Sequence, residues 1–196
     1  MPPNAKFTRQ EILEAALSIV RVRGMEGLTA RALGEVLGTS ARPIFTAFAS
    51  MEEVEAEVLR AADEVYQSWL EREMARGIYP PYKASGMGYI GFAKQERELF
   101  KLLFMRDRSR EEVEEGREKL RPILALIREQ TGLSEERAYR FHLEMWVYVH
   151  GIATMLATRY LDWDMHTVSE VLTDAYSGLK KHYCGEERDD ASDRNG

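Results

Sequence analysis

The chain has a single cysteine among its 196 residues. Cys184 alone can close no internal disulfide and supports no thiolate metal cluster, and beside the tail it reads as a bystander rather than a redox sensor. Long apolar runs are also missing. No stretch reaches the roughly 18 apolar residues that a bilayer crossing requires, and nothing near the start resembles a signal peptide. A soluble cytoplasmic protein that makes no membrane contact is expected. No nucleophile–base pair, paired carboxylates or phosphate-cradling loop occurs at usable spacing, so an enzyme is not expected, nor any cofactor. His142 and His150 are eight residues apart and Glu144 stands at no metal-pair spacing with them, so no metal site is expected. Basic excess is lacking too. The net charge of −6 argues against a general nucleic-acid coat, although residues 1–50 carry six Lys/Arg against four Glu, leaving −8 for the rest.

Strand signals are nearly absent, and what fills their place is helical periodicity punctuated by caps and stops. The first helix opens at Thr8 with Glu11 as capping-box partner, buries Ile12, Leu13, Ala16, Leu17 and Val20, and ends at Gly24. A long fourth helix opens at Ser50 with Glu53 and ends at Gly77, with an inner stripe of Val54, Val58, Ala61, Ala62, Val65, Tyr66 and Trp69. Beyond it, residues 78–95 read as less regular. Their prolines can open a helix, but Gly86, Gly88 and Gly91 each weaken one by roughly 1 kcal/mol. A short helix follows over about 96–106, and the next opens at Ser109 with Glu112 and bends near Pro122 before Gly132. Two long helices, about 135–161 and 165–183, close the body. The expected fold is all-α with about nine helices. A three-helix N-terminal part (1–58) would be joined by the fourth helix to a larger helical bundle (59–184), with an acidic tail (185–196) lacking order.

Between the first and fourth helices the segment Leu28–Val54 decides the function class. Thr29 is placed to cap one helix, with Leu28 and Leu33 as a hydrophobic staple, and Gly38 to stop it. Ser40 is placed to cap a second, very short helix. A helix, a tight turn and a short helix with exposed polar side chains make a helix-turn-helix, whose second helix enters the major groove. Thr29 and Arg31 would meet the phosphates, where a helix N-terminus attracts anions. Thr39, Ser40, Ala41, Arg42, Phe45 and Thr46 complete the DNA-facing set, while Ile44 and Phe48 should face inward. Arg42 alone could grip a guanine bidentately.

Thr29, Leu33, Gly34, Gly38, Ser40, Phe48 and Ser50 carry a resemblance to the TetR/AcrR family of transcriptional regulators, over residues 7–60. That resemblance implies a homodimer on a palindromic operator in double-stranded DNA, a ligand-released repressor, and an unidentified small-molecule effector. Three positions depart from the family pattern. Phe45, Ala47 and Met51 stand where the family usually has phosphate-contacting tyrosine, histidine or tyrosine, and lysine. Weaker DNA binding is expected, with Lys6 and Arg9 compensating in part, and a protein that has kept only ligand or partner binding is the alternative.

Trp146, His150 and Gly151 resemble a Trp…His-Gly motif in the ligand-and-dimer domain of several such regulators. An apolar and aromatic effector pocket is expected to draw on Trp69, Tyr89, Phe92, Phe100 and Phe104, with Met145, Trp146, Tyr148 and His150 from the later helix and residues 86–91 as a soft gate. A two-fold four-helix bundle is expected to use Gly151 and Met155, together with Val168, Leu172, Ala175, Tyr176 and Leu179.

Overall fold

The computed structural model describes residues 7–107, 118 and 120–193. Among them are nine α-helices and no strand: α1 (Arg9–Arg23), α2 (Ala30–Val36), α3 (Ile44–Ala47), α4 (Met51–Ala75), α5 (Pro81–Gln95), α6 (Arg97–Phe104), α7 (Arg121–Thr131), α8 (Glu135–Ala157) and α9 (Met165–Asp193). The fold is all-α, as the periodicity requires. The Ser109–Glu112 capping box lies outside the described residues, as does Lys6.

Local chemistry sets most helix ends. The Thr8 hydroxyl accepts from the Glu11 N–H, and the Glu11 carboxylate accepts from the Thr8 N–H, completing the box at α1. Thr29 caps α2 through the Ala32 N–H, and Ser134 caps α8 through that of Arg137. Asp164 accepts from the Thr167 N–H at 2.8 Å at the start of α9. The glycines expected to stop helices, Gly24, Gly38, Gly77 and Gly132, all adopt positive φ, between 62° and 76°.

The chain divides into two compact units, Met1–Trp69 with Gln95–Arg106, and Leu70–Lys94 with Asp107–Gly196. The division falls inside α4 at residues 69 and 70, not at the expected 58 and 59, and α6 joins the first unit. Its sequence explains why. Leu99, Phe100 and Leu103 are buried on one face of α6, which packs on α1, and Arg21 reaches Glu96 at 3.0 Å. The α1 stripe is rotated from its expected position: Ala15 and Ile19 are buried with Ile12, Ala16 and Val20, whereas Leu13 and Leu17 are only half-buried.

In the second unit α5 is a regular helix of 15 residues rather than an irregular gate, and nine of them are buried. Glycine's low helix propensity is offset here by close packing. At Gly88 a Cβ would stand 3.0 Å from Leu70 Cδ2, whereas at Gly86 one would make only ordinary contact, 3.5 Å from Val149 and 3.7 Å from Leu172. The buried stripe of α8 runs through Phe141, Met145, Val149, Ile152 and Leu156, and meets α7 and α9. Helix α9 continues to Asp193, through most of the segment expected to lack order, where Glu, Arg and Ala favour helix beside the single Gly185.

Candidate functional site

The turn between α2 and α3 is closed by contact rather than by side-chain bonding. The Thr39 N–H donates to the Gly34 carbonyl at 2.8 Å. A Cβ at position 34 would lie 2.7 Å from the Thr39 carbonyl oxygen, so only glycine fits beneath the turn. Gly38 takes the left-handed conformation at φ +63°. The short helix departs from expectation at its start. Ser40 does not cap it. Pro43, whose ring fixes φ and removes an N–H, occupies the N-cap position, and the Ile44 N–H donates to the Ala41 carbonyl at 3.1 Å. Helix α3 is therefore a single turn of four residues. Ile44 and Phe48 anchor it by full burial, as expected.

Ser40, Arg42, Phe45 and Thr46 are exposed on its outer side, with Thr39 and Ala41 half-buried. Arg42 forms no ion pair with any described carboxylate, whereas the exposed Arg31 pairs with Glu35 at 3.0 Å one turn along α2. Phe45 keeps 47% of its apolar surface exposed. Thr29 is exposed at the start of α2.

Arg9 is committed inside the protein rather than offered to a phosphate. Its guanidinium donates to the Ala47 carbonyl at 2.7 Å and to Glu53 at 2.8 Å, reaches Glu57 at 3.2 Å, and lies 4.1 Å from the centre of the Phe48 ring. Glu53 also accepts from the Ala49 N–H at 2.6 Å. That backbone bond and the arginine hold its carboxyl below the usual carboxylate range. Sequence reasoning missed this tie because nothing in the periodicity of α1 distinguishes Arg9 from any exposed cation.

The aromatic residues expected to share one pocket belong to different units. Trp69, Phe100 and Phe104 lie in the first, where the Phe104 ring meets Tyr66 edge-on at 5.0 Å and Phe100 at 5.2 Å. In the second, Tyr89, Phe92 and Met145 are buried. The Tyr89 hydroxyl lies 2.9 Å from His150 Nδ1, and the Trp146 ring stacks on His150 at 5.0 Å and 11°. A second pair of the same kind, Tyr82 and His142 at 3.2 Å, was not foreseen. Burial pushes both imidazoles below their ordinary value.

Trp146 and Tyr148 do not line the interior, since more than 40% of each is exposed. They leave the buried stripe of α8 and join an outward apolar row, Leu143, Val147 and Met155, whose i+4 spacing runs through Gly151. A Cβ on Gly151 would meet nothing within 4 Å. The expected dimer set divides as well. Met155 and Gly151 face outward, whereas Val168 and Leu172 are buried in the chain's own unit and cannot also meet a second copy. Ala175, Tyr176 and Leu179 are half-buried, and the Tyr176 hydroxyl donates to Gln130 at 3.3 Å. Among the described residues no group of three or more His, Cys, Asp or Glu could hold a metal, and no helix is long and apolar enough to cross a membrane.

The described residues thus form an all-helical chain with a helix-turn-helix in its first unit and a second, separate helical unit. Residues 82–176 match the family described as tetracyclin repressor-like, C-terminal domain. The fold matches the solved structure of a member of the TetR family from Streptomyces coelicolor A3, with a TM-score of 0.54 and 18% sequence identity over 88% of this chain and 98% of that one. No curated protein matches significantly. The chain is thus similar to a tetracyclin repressor-like C-terminal domain over residues 82–176, and its fold is similar to that of a TetR-family member.

Proposed function

We propose that the protein is a homodimeric, sequence-specific repressor that binds a palindromic operator and is released by a small-molecule effector. The observation that carries this reading is the outer side of α3, where exposed Arg42, Phe45 and Thr46 stand on a platform fixed by buried Ile44 and Phe48. Arg42 reads a base edge, and Thr29, Thr39, Ser40 and the first turn of α2 position the phosphate backbone. One such helix covers few base pairs, so two are needed, about 34–36 Å apart. The apolar row of α8 supplies the means. Leu143, Val147 and Met155 are exposed around Gly151, whose open side admits a second helix at close range. The effector binds in the second unit beside Tyr89, Phe92, Met145 and His150, and acts by preferring the state that does not bind DNA. The protein is not an enzyme, takes no cofactor and works in the cytoplasm.

A second reading, a TetR-like protein that has given up DNA, is favoured by Phe45, Ala47 and Met51 and by the internal commitment of Arg9 and Arg31. Fluorescence anisotropy with the DNA flanking the gene separates the two, using wild type beside Arg42→Ala. Binding at low salt that Arg42→Ala weakens supports the repressor. No binding even at low salt leaves the second reading, and binding indifferent to Arg42→Ala removes the base-readout role.

A further inference from the structure

Lys83 sits in the first turn of α5, and its ammonium donates to Ser169 Oγ and to Thr173 Oγ1, each at 2.7 Å. The two hydroxyls lie one turn apart on α9. Lys94 and Lys101 each have a carboxylate within 4 Å, Asp162 and Glu98, but no described carboxylate comes that close to Lys83. Glu170, the acid next to Ser169, pairs with His166 at 3.4 Å. The hydrogen-bond partners of this half-buried side chain are thus neutral oxygens, and no described carboxylate serves it as counter-ion.

Counting protons defines what the cradle can take. An ammonium has three donors, of which two are used on the hydroxyls. The Thr173 hydroxyl donates to the Ser169 carbonyl at 2.8 Å, so its proton is committed. The Ser169 hydroxyl donates to no described acceptor. One ammonium N–H and one hydroxyl O–H remain, a pair matching the two oxygens of a carboxylate. The Tyr79 ring lies 4.8 Å from the ammonium and walls one side with a flat apolar face.

We propose that Lys83, Ser169 and Tyr79 bind the carboxylate of a small organic acid with an apolar or aromatic body. Its site is distinct from the DNA-facing surface and rests on none of the DNA-binding reading. Isothermal titration of the full-length protein with sodium benzoate tests it, with benzamide as the neutral isostere and inorganic phosphate as a more highly charged anion. No DNA is present, so failure here is distinguishable from failure of the repressor assay. Saturable benzoate binding is expected, at least about tenfold weaker for benzamide and for Lys83→Met, and largely kept in Lys83→Arg. Ser169→Ala removes one donor while leaving the Lys83–Thr173 contact, and should weaken benzoate several-fold even if Lys83→Met fails to fold. Absence of saturable binding overturns the proposal, and so does affinity unchanged by Ser169→Ala. Phosphate binding tighter than benzoate overturns the carboxylate assignment.

Discussion

The Arg9 guanidinium donates to the Ala47 carbonyl at 2.7 Å, tying the start of α1 to the last residue of α3 across 38 positions of sequence. A four-residue helix has almost no stability of its own, since its nucleation cost is spread over a single turn. Its place depends on Ile44, on Phe48 and on this tie. The cation that could have supplemented phosphate contact is thus spent on holding the short helix in position.

Replacing Arg9 by alanine should therefore weaken DNA binding without removing a phosphate contact. Operator affinity should fall while the slope of log affinity against log salt stays unchanged, and the α3 amides should exchange faster with deuterium. A slope that becomes shallower in Arg9→Ala would mean that the arginine meets a phosphate after all.

The surface of α3 sets the salt dependence of the wild type. Phe45, Ala47 and Met51 offer no cation to a phosphate and Arg31 is paired to Glu35, so fewer than six phosphates should be neutralised. The log–log salt slope should be shallower than about −5, since each neutralised phosphate contributes about −0.9. Anisotropy titrations between low and moderate salt measure it, and a slope of −5 or steeper would refute this account.

What was legible in the sequence was local. Thr8, Thr29, Gly24, Gly38 and Gly132 mark helix ends because a cap bond or a left-handed residue involves only neighbours in the chain. Ile44 and Phe48 could be assigned inward because a four-residue helix offers few ways to be anchored. Residues 78–95 were misread for the converse reason. Propensity counts the cost of Gly88 but not the packing against Leu70 that uses it. The burial of α8 was ambiguous because apolar residues occur on two of its sides, and only the positions of α5, α7 and α9 decide which becomes the core. Arg9 carried no local signal at all.

Two glycines of the helix-turn-helix are required for different reasons, and one substitution distinguishes them. Gly34→Ala puts a methyl 2.7 Å from a backbone oxygen and should cost about 1–3 kcal/mol in urea unfolding. Gly38 has open space but a φ of +63°, so Gly38→Ala should cost about 1–2 kcal/mol from strain alone. Asparagine tolerates the left-handed region. Gly38→Asn should recover part of that loss, whereas Gly34→Asn should be worse than Gly34→Ala. Equal behaviour of the two asparagine variants would contradict the assignment.

Stability should also respond to pH in two windows. Burial holds His142 and His150 below 6.5, so the unfolded chain binds more protons than the folded one as pH drops below that value. The urea midpoint should fall between pH 7 and pH 5.5, and His142→Gln should flatten part of that step. Protonating His142 would also place a proton on Nδ1, which faces the Tyr82 hydroxyl at 3.2 Å. The carboxylates of Glu11 and Glu53 are held below 4.5 by bonds from Thr8 and from Ala49 and Arg9, so their contribution disappears only in more acidic solution. A midpoint that rises on acidification from pH 7 to 5.5 would reject the histidine assignment.

The outward row of α8 makes the sharpest prediction about assembly. Val147 is 64% exposed in the single chain, with Leu143 and Met155 one and two turns away on the same side. Val147→Glu would place a charge at the centre of a two-fold contact, where it would face its own copy and lose most of its water. Sedimentation velocity should then show the monomer at concentrations where the wild type is a dimer, with helical content by circular dichroism unchanged. Operator affinity should collapse in parallel, because a single α3 reads only half a palindrome. A Val147→Glu protein that still sediments as a dimer would show that the two copies meet elsewhere.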